Sequence, residues 1–287
     1  MSEIVTLDVR RWTEAVAAAG TEQLERGDVL YLPNLAFHIE AQELRFFSPG
    51  TVTGAKNVSF DPVRGRLGHT SAEGKDRTLL QGMLDRFSRM ARALVEGLAP
   101  RYGTALATGR TSFRPVEIAG RETSWRKDDT RLHIDAFPAT PVHGRRILRV
   151  FSNVNPLGRP RAWRVGVDFE PIAARFAPRL RLPLPGTAEL QRLLRLTKSR
   201  RSAYDALMLQ LHDRMKADAD FQSRSPSTSF EFPAGTTWLA FTDAVSHAAT
   251  AGQHQLEQTF LVPIAAMIEP ARSPLRVLER ITGRPLA

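Results

Sequence analysis

The 287-residue chain predicts a mainly β protein with added helices: a double-stranded β-helix, or jelly roll, with flanking helices and a helical insertion at about residues 171–224. Three observations carry that reading. Short apolar runs at strand spacing recur between Pro- and Gly-bearing turns, from Leu132 to Asn155 and again from Ser229 to Ile264. Between them lies a Leu- and Arg-rich stretch of helical composition, strongest over Thr187 to Lys216. No internal repeat, low-complexity tract or Gly/Ser linker divides the sequence, so one domain over 1–287 is expected.

Each element has a local signal. Val29-Leu30-Tyr31-Leu32 before Pro33-Asn34 reads as a strand ending in a turn, and Ala36 to Phe46 suits a helix or a strand. Asp85 to Leu98 places apolar residues at helical spacing with arginines opposite, a scaffold helix for packing on a sheet. Leu132 to Asn155 reads as a strand carrying His133 and Asp135, a Pro/Gly loop, and a strand of Ile147, Leu148, Val150, Phe151 and Val154. Arg161 to Phe169 suits a further strand. After the insertion, Ser229 to Phe232, the Pro233-Ala234-Gly235 turn, Thr236 to Phe241 and Gln258 to Ile264 complete the barrel.

Composition narrows the function classes. A 42% hydrophobic fraction supports a sizeable core, and zero cysteines exclude disulfides and cysteine-ligated metal sites. Histidine and carboxylate are left as metal ligands, which points to iron, manganese or zinc. The N-terminal segment MSEIVTLDVRRWTEAV is too charged for a signal peptide, and no run of about 18 uncharged apolar residues follows. A cytoplasmic location is expected. Lys and Arg total 40 against 30 Asp and Glu, a formal charge of +10 that suits an anionic partner, although coding bias toward Arg is the plainer source of much of it. Zinc-finger spacing and RNP-like aromatic strands are missing, so no nucleic-acid partner is expected.

The chemistry concentrates at His133-Ile134-Asp135, followed 112 positions after Asp135 by His247. On a strand, side chains at i and i+2 share a face about 6 to 7 Å apart, so one ion can meet both while Ile134 turns away. Two histidines and a carboxylate form the facial triad of iron(II) oxygenases, with positions left open for a cosubstrate and O2. His247, just after the TTWLAF strand, is the best third ligand; His254 competes but falls in a turn. His143 sits in the Pro-Gly loop, and His38, His69 and His212 read as surface or structural residues.

The residues around this dyad, Trp125 to Pro138, His143 to Phe151 and Asn153 to Pro156, together with Phe241 to Ala248 and Glu257 to Phe260, resemble the bacterial Kdo (3-deoxy-D-manno-oct-2-ulosonic acid) hydroxylase family. The likeness runs over most of the chain. It implies an iron(II)- and 2-oxoglutarate-dependent dioxygenase, with the ligand set on His133, Asp135 and His247, which hydroxylates C3 of the outer Kdo of a Kdo-lipid A precursor. That acceptor would be reached by a peripheral protein on the anionic inner-membrane surface.

Many 2-oxoglutarate oxygenases hold the distal carboxylate of the cosubstrate with a cation about one strand beyond the last histidine. Glu257 and Gln258 stand there instead. A buried carboxylate needs a cationic partner, so Arg149 is the first choice for this role and Arg145 or Arg146 the second; lining the outer sheet surface is their ordinary alternative. Trp125, Arg126, Lys127 and Arg131 stand just before the dyad, where an aromatic face and cations suit an acidic sugar, against an exposed loop neutralised by Asp128 and Asp129. Asn153 and Asn155 read as turn caps. In the insertion, Arg192, Arg195, Lys198, Arg200 and Arg201 form a solvated charged face that could also rest on anionic lipid. A protein or ribosome hydroxylase and a non-catalytic sugar-binding jelly roll are the rival readings.

Overall fold

A computed structural model describes residues 1–13 and 19–287; residues 14–18, part of the N-terminal segment weighed above, lie outside the described residues. The strands are β1 (Ile4–Thr6), β2 (Val29–Leu32), β3 (Val58–Asp61), β4 (Arg66–Gly68), β5 (Ala107–Arg114), β6 (Arg146–Asn153), β7 (Arg161–Val165), β8 (Thr228–Phe232), β9 (Thr237–Phe241), β10 (His247–Ala251) and β11 (Gln255–Val262). The helices are α1 (Ala19–Arg26), α2 (Gly74–Leu98), α3 (Phe169–Phe176), α4 (Thr187–Leu193), α5 (Ala203–Ala217), α6 (Ala219–Arg224) and α7 (Pro274–Thr282).

Eight strands form one sheet in the order β1-β2-β9-β6-β11-β5-β3-β4, and three form a second in the order β10-β7-β8. β6 lies between β9 and β11 with antiparallel register, Val150 opposite both Leu239 and Gln258. Strand alternation splits its side chains between two cores. Leu148 and Val150, with Leu239 and Phe241 of β9, pack into a cluster that contains the apolar stripe of α2. That stripe, Leu80, Met83, Leu84, Phe87, Ala91, Leu94 and Val95, has the three- and four-residue spacing of one helix face. Phe151, Trp238 and Ala240 point the other way, into the space between the sheets, where they meet Trp163, Val165, Phe232 and Ala249. Aromatic rings order that space: Phe232 stacks on Trp238 at 4.1 Å, and Trp163 stands edge-on to Trp238 at 5.6 Å.

The mainly β frame with flanking helices and an insertion is as expected, with α3 to α6 lying between β7 and β8. Four local readings change. Ala41–Phe46 is a 3-10 helix. The strand from Arg161 stops at Val165, and Phe169 opens α3 instead. The scaffold helix begins eleven residues earlier than Asp85, at Gly74. The dyad does not lie in a strand: it is an extended segment joined to β10 by one bridge, His133 to His247. The reason is local, because the Asp135 amide turns to the Thr242 carbonyl at 2.7 Å rather than continuing along β10.

Candidate metal centre and its cavity

The bridge brings the two histidines together through reciprocal backbone bonds, His133 N to His247 O at 3.0 Å and His247 N to His133 O at 2.9 Å. Their rings lie 4.7 Å apart. His133 Nδ1 is 2.7 Å from the Arg131 carbonyl and His247 Nδ1 is 2.9 Å from that of Val245. A carbonyl only accepts, so each Nδ1 carries the proton and each Nε2 keeps its lone pair free for a ligand. Trp163 stacks on the His247 ring at 5.1 Å and fixes its plane. His133 Nε2 lies 4.0 Å from Asp135 Oδ1, and one donor atom from each of His133, Asp135 and His247 falls within 4.8 Å of the others.

The protonation states fit metal binding. Burial drives the His133 imidazole well below its ordinary range, and His247 and Lys216 push the same way. Burial also lowers His247. Burial by itself would raise Asp135, but Arg149, His247 and His133 outweigh it and hold the carboxyl well below the usual carboxylate range. Two neutral imidazoles and one carboxylate are the donor set of a facial triad. Asp135 Oδ2 is buried with no hydrogen-bond partner among the described residues, although Arg149 Nε stands 3.3 Å away. An ion at this point would satisfy that oxygen.

A cavity of about 150 Å³ opens beside the triad, lined by Arg114, Asp129, Arg149, Phe151, Arg161, Trp163, Gln255 and Glu257 among others. Its charges are unevenly matched. Arg114 reaches Glu257 at 3.0 Å and Asp129 at 3.6 Å, and Arg149 reaches Asp135 at 3.3 Å and Glu257 at 3.2 Å. Arg161 has a carbonyl only, that of Gly252 at 2.6 Å. Burial, then the repulsion of Arg114, pushes Arg161 down to about 9. Gly252 makes this approach possible: its φ is +107°, and a Cβ there would stand 2.9 Å from Arg161 Cδ and from the Pro160 carbonyl. Among the described residues, Arg114 Nε, Arg149 Nε, Arg161 Nε and Trp163 Nε1 are buried donors without hydrogen bonds. Four such donors around one cavity call for an anionic ligand.

Sequence-predicted residues divide accordingly. Arg149 faces the cavity. Arg146, on the opposite face of β6, is buried against Asp243 at 2.9 Å and over the Phe241 ring at 4.0 Å, and Arg145 turns its Nε to the Val142 carbonyl at 2.9 Å. Both are corrections: alternation removes Arg146, and Arg145 belongs to the turn before β6. Trp125, Arg126, Lys127 and Arg131 do not line the metal cavity. Trp125 and Arg126 border a separate groove with α4 and α5, the exposed Lys127 gives its carbonyl to Lys56, and Arg131 pairs with Asp128 at 3.2 Å. Asn153 and Asn155 bond turn backbone, as expected. His254 lies between β10 and β11 with φ +58°, outside the metal cluster.

Three neighbours escaped the sequence reading. Arg161 alternates with the buried Trp163 and Val165, and that two-residue pattern was its available signal. Arg114 ends β5 with no comparable cue. His212 lies 5.4 Å from His133, ring to ring, and shares an α5 face with Met208, Leu211 and Met215.

A jelly-roll frame whose two-histidine, one-carboxylate cluster opens on a cavity lined by three guanidiniums fits the class of non-haem metal oxygenases. The chain belongs to the 3-deoxy-D-manno-oct-2-ulosonic acid (Kdo) hydroxylase family, whose model matches residues 9–285. It is similar to the solved Kdo hydroxylase KdoO, a non-haem Fe(II) α-ketoglutarate-dependent dioxygenase. The cobalt(II) complex of that enzyme matches at 46% identity and TM-score 0.96, covering 99% of this chain and 97% of the other. Its complex with α-ketoglutarate and Fe(III) matches at 44% and 0.96, covering 100% and 98%. The succinate and Fe(III) complex matches at 44% and 0.95, covering 99% and 97%. Among curated proteins no sequence matches.

Proposed function

We propose that this chain is a one-domain iron(II)- and 2-oxoglutarate-dependent dioxygenase that hydroxylates C3 of the outer Kdo of a Kdo-lipid A precursor, with His133, Asp135 and His247 as metal ligands. The observation that carries this reading is Arg161, a buried cation without a carboxylate beside that triad. The cavity lining holds three guanidiniums, Arg114, Arg149 and Arg161, and three carboxylates, Asp129, Asp135 and Glu257. It is neutral as it stands, and a divalent ion with a dicarboxylate keeps it neutral. A zinc hydrolase site could use the same ligand types, but it would not require this surplus of buried donors.

Iron(II) with 2-oxoglutarate and O2 supplies the oxidising power when bound, leaving succinate and CO2 as coproducts. The chain supplies position. Arg161 and Trp163 Nε1 offer donors to a distal carboxylate, and Arg149 links that pocket to Asp135. Phe137, Phe151 and the Trp163 ring give the cavity apolar wall that keeps water from the reacting atoms. The Nδ1 bonds of His133 and His247 hold both imidazoles in the ligating tautomer.

The acceptor sugar enters past Trp125, Arg126, Lys127 and Arg131 in this reading, where the Arg126 guanidinium already lies 4.1 Å over the Trp125 ring. A charge of +10, and no helix among the described residues long and apolar enough to cross a membrane, support attachment from the side to the anionic cytoplasmic face of the inner membrane. Mass spectrometry of lipopolysaccharide from cells with and without the protein tests the reading. One added oxygen on a Kdo unit is expected, and unmodified Kdo in the presence of iron-loaded protein would reject it. Succinate release triggered by a basic peptide rather than Kdo-lipid A would move the substrate to a protein.

A further inference from the structure

Exposed apolar side chains gather in one place. Of the eleven large hydrophobic residues exposed among the described residues, five are Leu184, Leu190, Leu193, Leu194 and Leu196. Leu190 and Leu193 of α4 and Leu194 just past its end have the three- and four-residue spacing of one helix face, and Leu193 keeps 79% of its surface. The others are scattered over the chain, as single exposed apolar residues ordinarily are. Around this patch the sequence from 181 to 201 carries six cations, Arg181, Arg192, Arg195, Lys198, Arg200 and Arg201, against one carboxylate, Glu189. Arg200 pairs with that carboxylate at 2.7 Å.

The patch is tied to the loop that follows Asp135 and Phe137. Lys198 N bonds the Ala139 carbonyl at 2.9 Å, Arg201 bonds that of Pro138, and His143 Nε2 donates to that of Arg200 at 2.8 Å. Residues 138 to 143 directly follow Asp135 and Phe137, which line the metal cavity. On its other side, Thr187 and Gln191 of α4 share a groove with Trp125 and Arg126. α4, which carries part of the patch, therefore stands beside Trp125 and Arg126, past which the acceptor sugar enters in the reading above.

From this we infer that residues 184–198 seat the protein on an anionic lipid bilayer, with the leucines entering the boundary between headgroups and acyl chains while Arg192, Arg195 and Lys198 meet anionic headgroups. Apolar insertion together with a cationic rim is the physical requirement for stable binding in the plane of an interface. A second copy of the chain is the poorer occupant, because pairing the patch with itself sets like charges opposite one another. The inference deepens the preceding reading and rests on it in one respect: the acceptor sugar is carried on a lipid, so the bilayer-binding element belongs beside the entrance.

The test uses the full-length iron-loaded protein and sugar-free vesicles, phosphatidylcholine alone or with phosphatidylglycerol added. Wild type should sediment with the anionic vesicles only. Charge reversal of Arg192, Arg195 and Lys198 to Glu should lower the partition by at least about tenfold. Replacing Leu190, Leu193, Leu194 and Leu196 by Ser should leave recovery at low salt and abolish the fraction that resists high salt, because screening removes the electrostatic part and leaves insertion exposed. Leu193→Trp should shift its emission to the blue when anionic vesicles are added. Equal recovery of all variants overturns the inference. So does a leucine variant that changes a dimer into a monomer with vesicle binding unaltered, since the patch would then join two copies. Because no sugar is present, vesicle binding by a protein that fails to modify Kdo would sink the hydroxylase reading alone.

Discussion

β6 presents two arginines, three residues apart, to two different environments. Arg146 points away from the His133, Asp135 and His247 cluster, its side chain 1% exposed, and meets the equally buried Asp243. Arg149 points toward that cluster, 12% exposed, and divides its charge between Asp135 and Glu257. Both are buried cations on one strand, yet the first closes a pair and the second stands in a cavity where donors exceed acceptors. The partner set, rather than burial or residue type, separates a cation that supports the fold from one that awaits a ligand.

The comparison is broken most severely at the metal cluster itself. His133→Ala, Asp135→Ala and His247→Ala should each abolish succinate formation and iron-dependent absorbance, since each removes one of the three proposed ligands, while circular dichroism remains that of the folded protein. His254→Ala should retain activity. Loss on changing His254, with His247→Ala still active, would reassign the third ligand.

Arg146→Ala should come next, and its effect should fall on stability. The substitution leaves Asp243 buried without its cation, with burial already raising its carboxyl, a change that costs about 3 to 5 kcal/mol in denaturant unfolding. Replacing both partners together, Arg146→Met with Asp243→Leu, should recover most of that loss. The KM for 2-oxoglutarate of the folded single variant should stay where it was. A raised KM with unchanged stability would reverse the assignment of the two faces of β6.

Arg161→Met should spare stability and weaken cosubstrate binding instead. Loss of a charge-assisted contact to a carboxylate costs about 2 to 4 kcal/mol, roughly 30- to 900-fold in the KM for 2-oxoglutarate. Removing an unpaired buried cation also relieves a desolvation penalty, so the unfolding midpoint should hold or rise. Arg149→Met should raise the same KM by a smaller factor, about tenfold, because Arg149 already has two carboxylates. An unchanged KM in both would move the distal carboxylate to Arg114.

What the sequence disclosed follows the same division. The dyad was legible because chelation needs two ligands at i and i+2, a spacing written in three consecutive residues, and the position of His247 after an apolar strand was equally local. The strand at Ile147 to Phe151 and the part of α2 from Asp85 to Leu98 were legible from the spacing of their apolar residues. Arg161 and Arg114 were hidden because β5, β6 and β7 meet only after the sheets form, and 40 Lys and Arg residues dilute any single cationic signal. His212 was hidden for a related reason: it lies on the inward face of α5, between Leu211 and Met215, where the sequence reads as ordinary helix core. The rim residues Trp125 to Arg131 were read from adjacency to the dyad, but a 3-10 turn at Trp125–Lys127 carries Trp125 and Arg126 to the α4 and α5 groove instead of the cavity.

The smallest effect belongs to Arg145, and it sharpens the comparison by its smallness. Counted along an ideal strand, Arg145 shares a face with Arg149, and with Arg146 it was the second choice for the cosubstrate cation. β6 begins only at Arg146, however, and the preceding turn sends the Arg145 guanidinium back to the Val142 carbonyl at 2.9 Å. Arg145→Ala removes that one side-chain bond from a half-buried position. The expected loss of stability is under about 1 kcal/mol, with the KM for 2-oxoglutarate unchanged. Isothermal titration of the iron-free variant with cobalt(II) and then 2-oxoglutarate checks both ligands separately. A weakened second titration with an intact first would bring Arg145 into the cavity, and would show that the strand alternation continues through the turn.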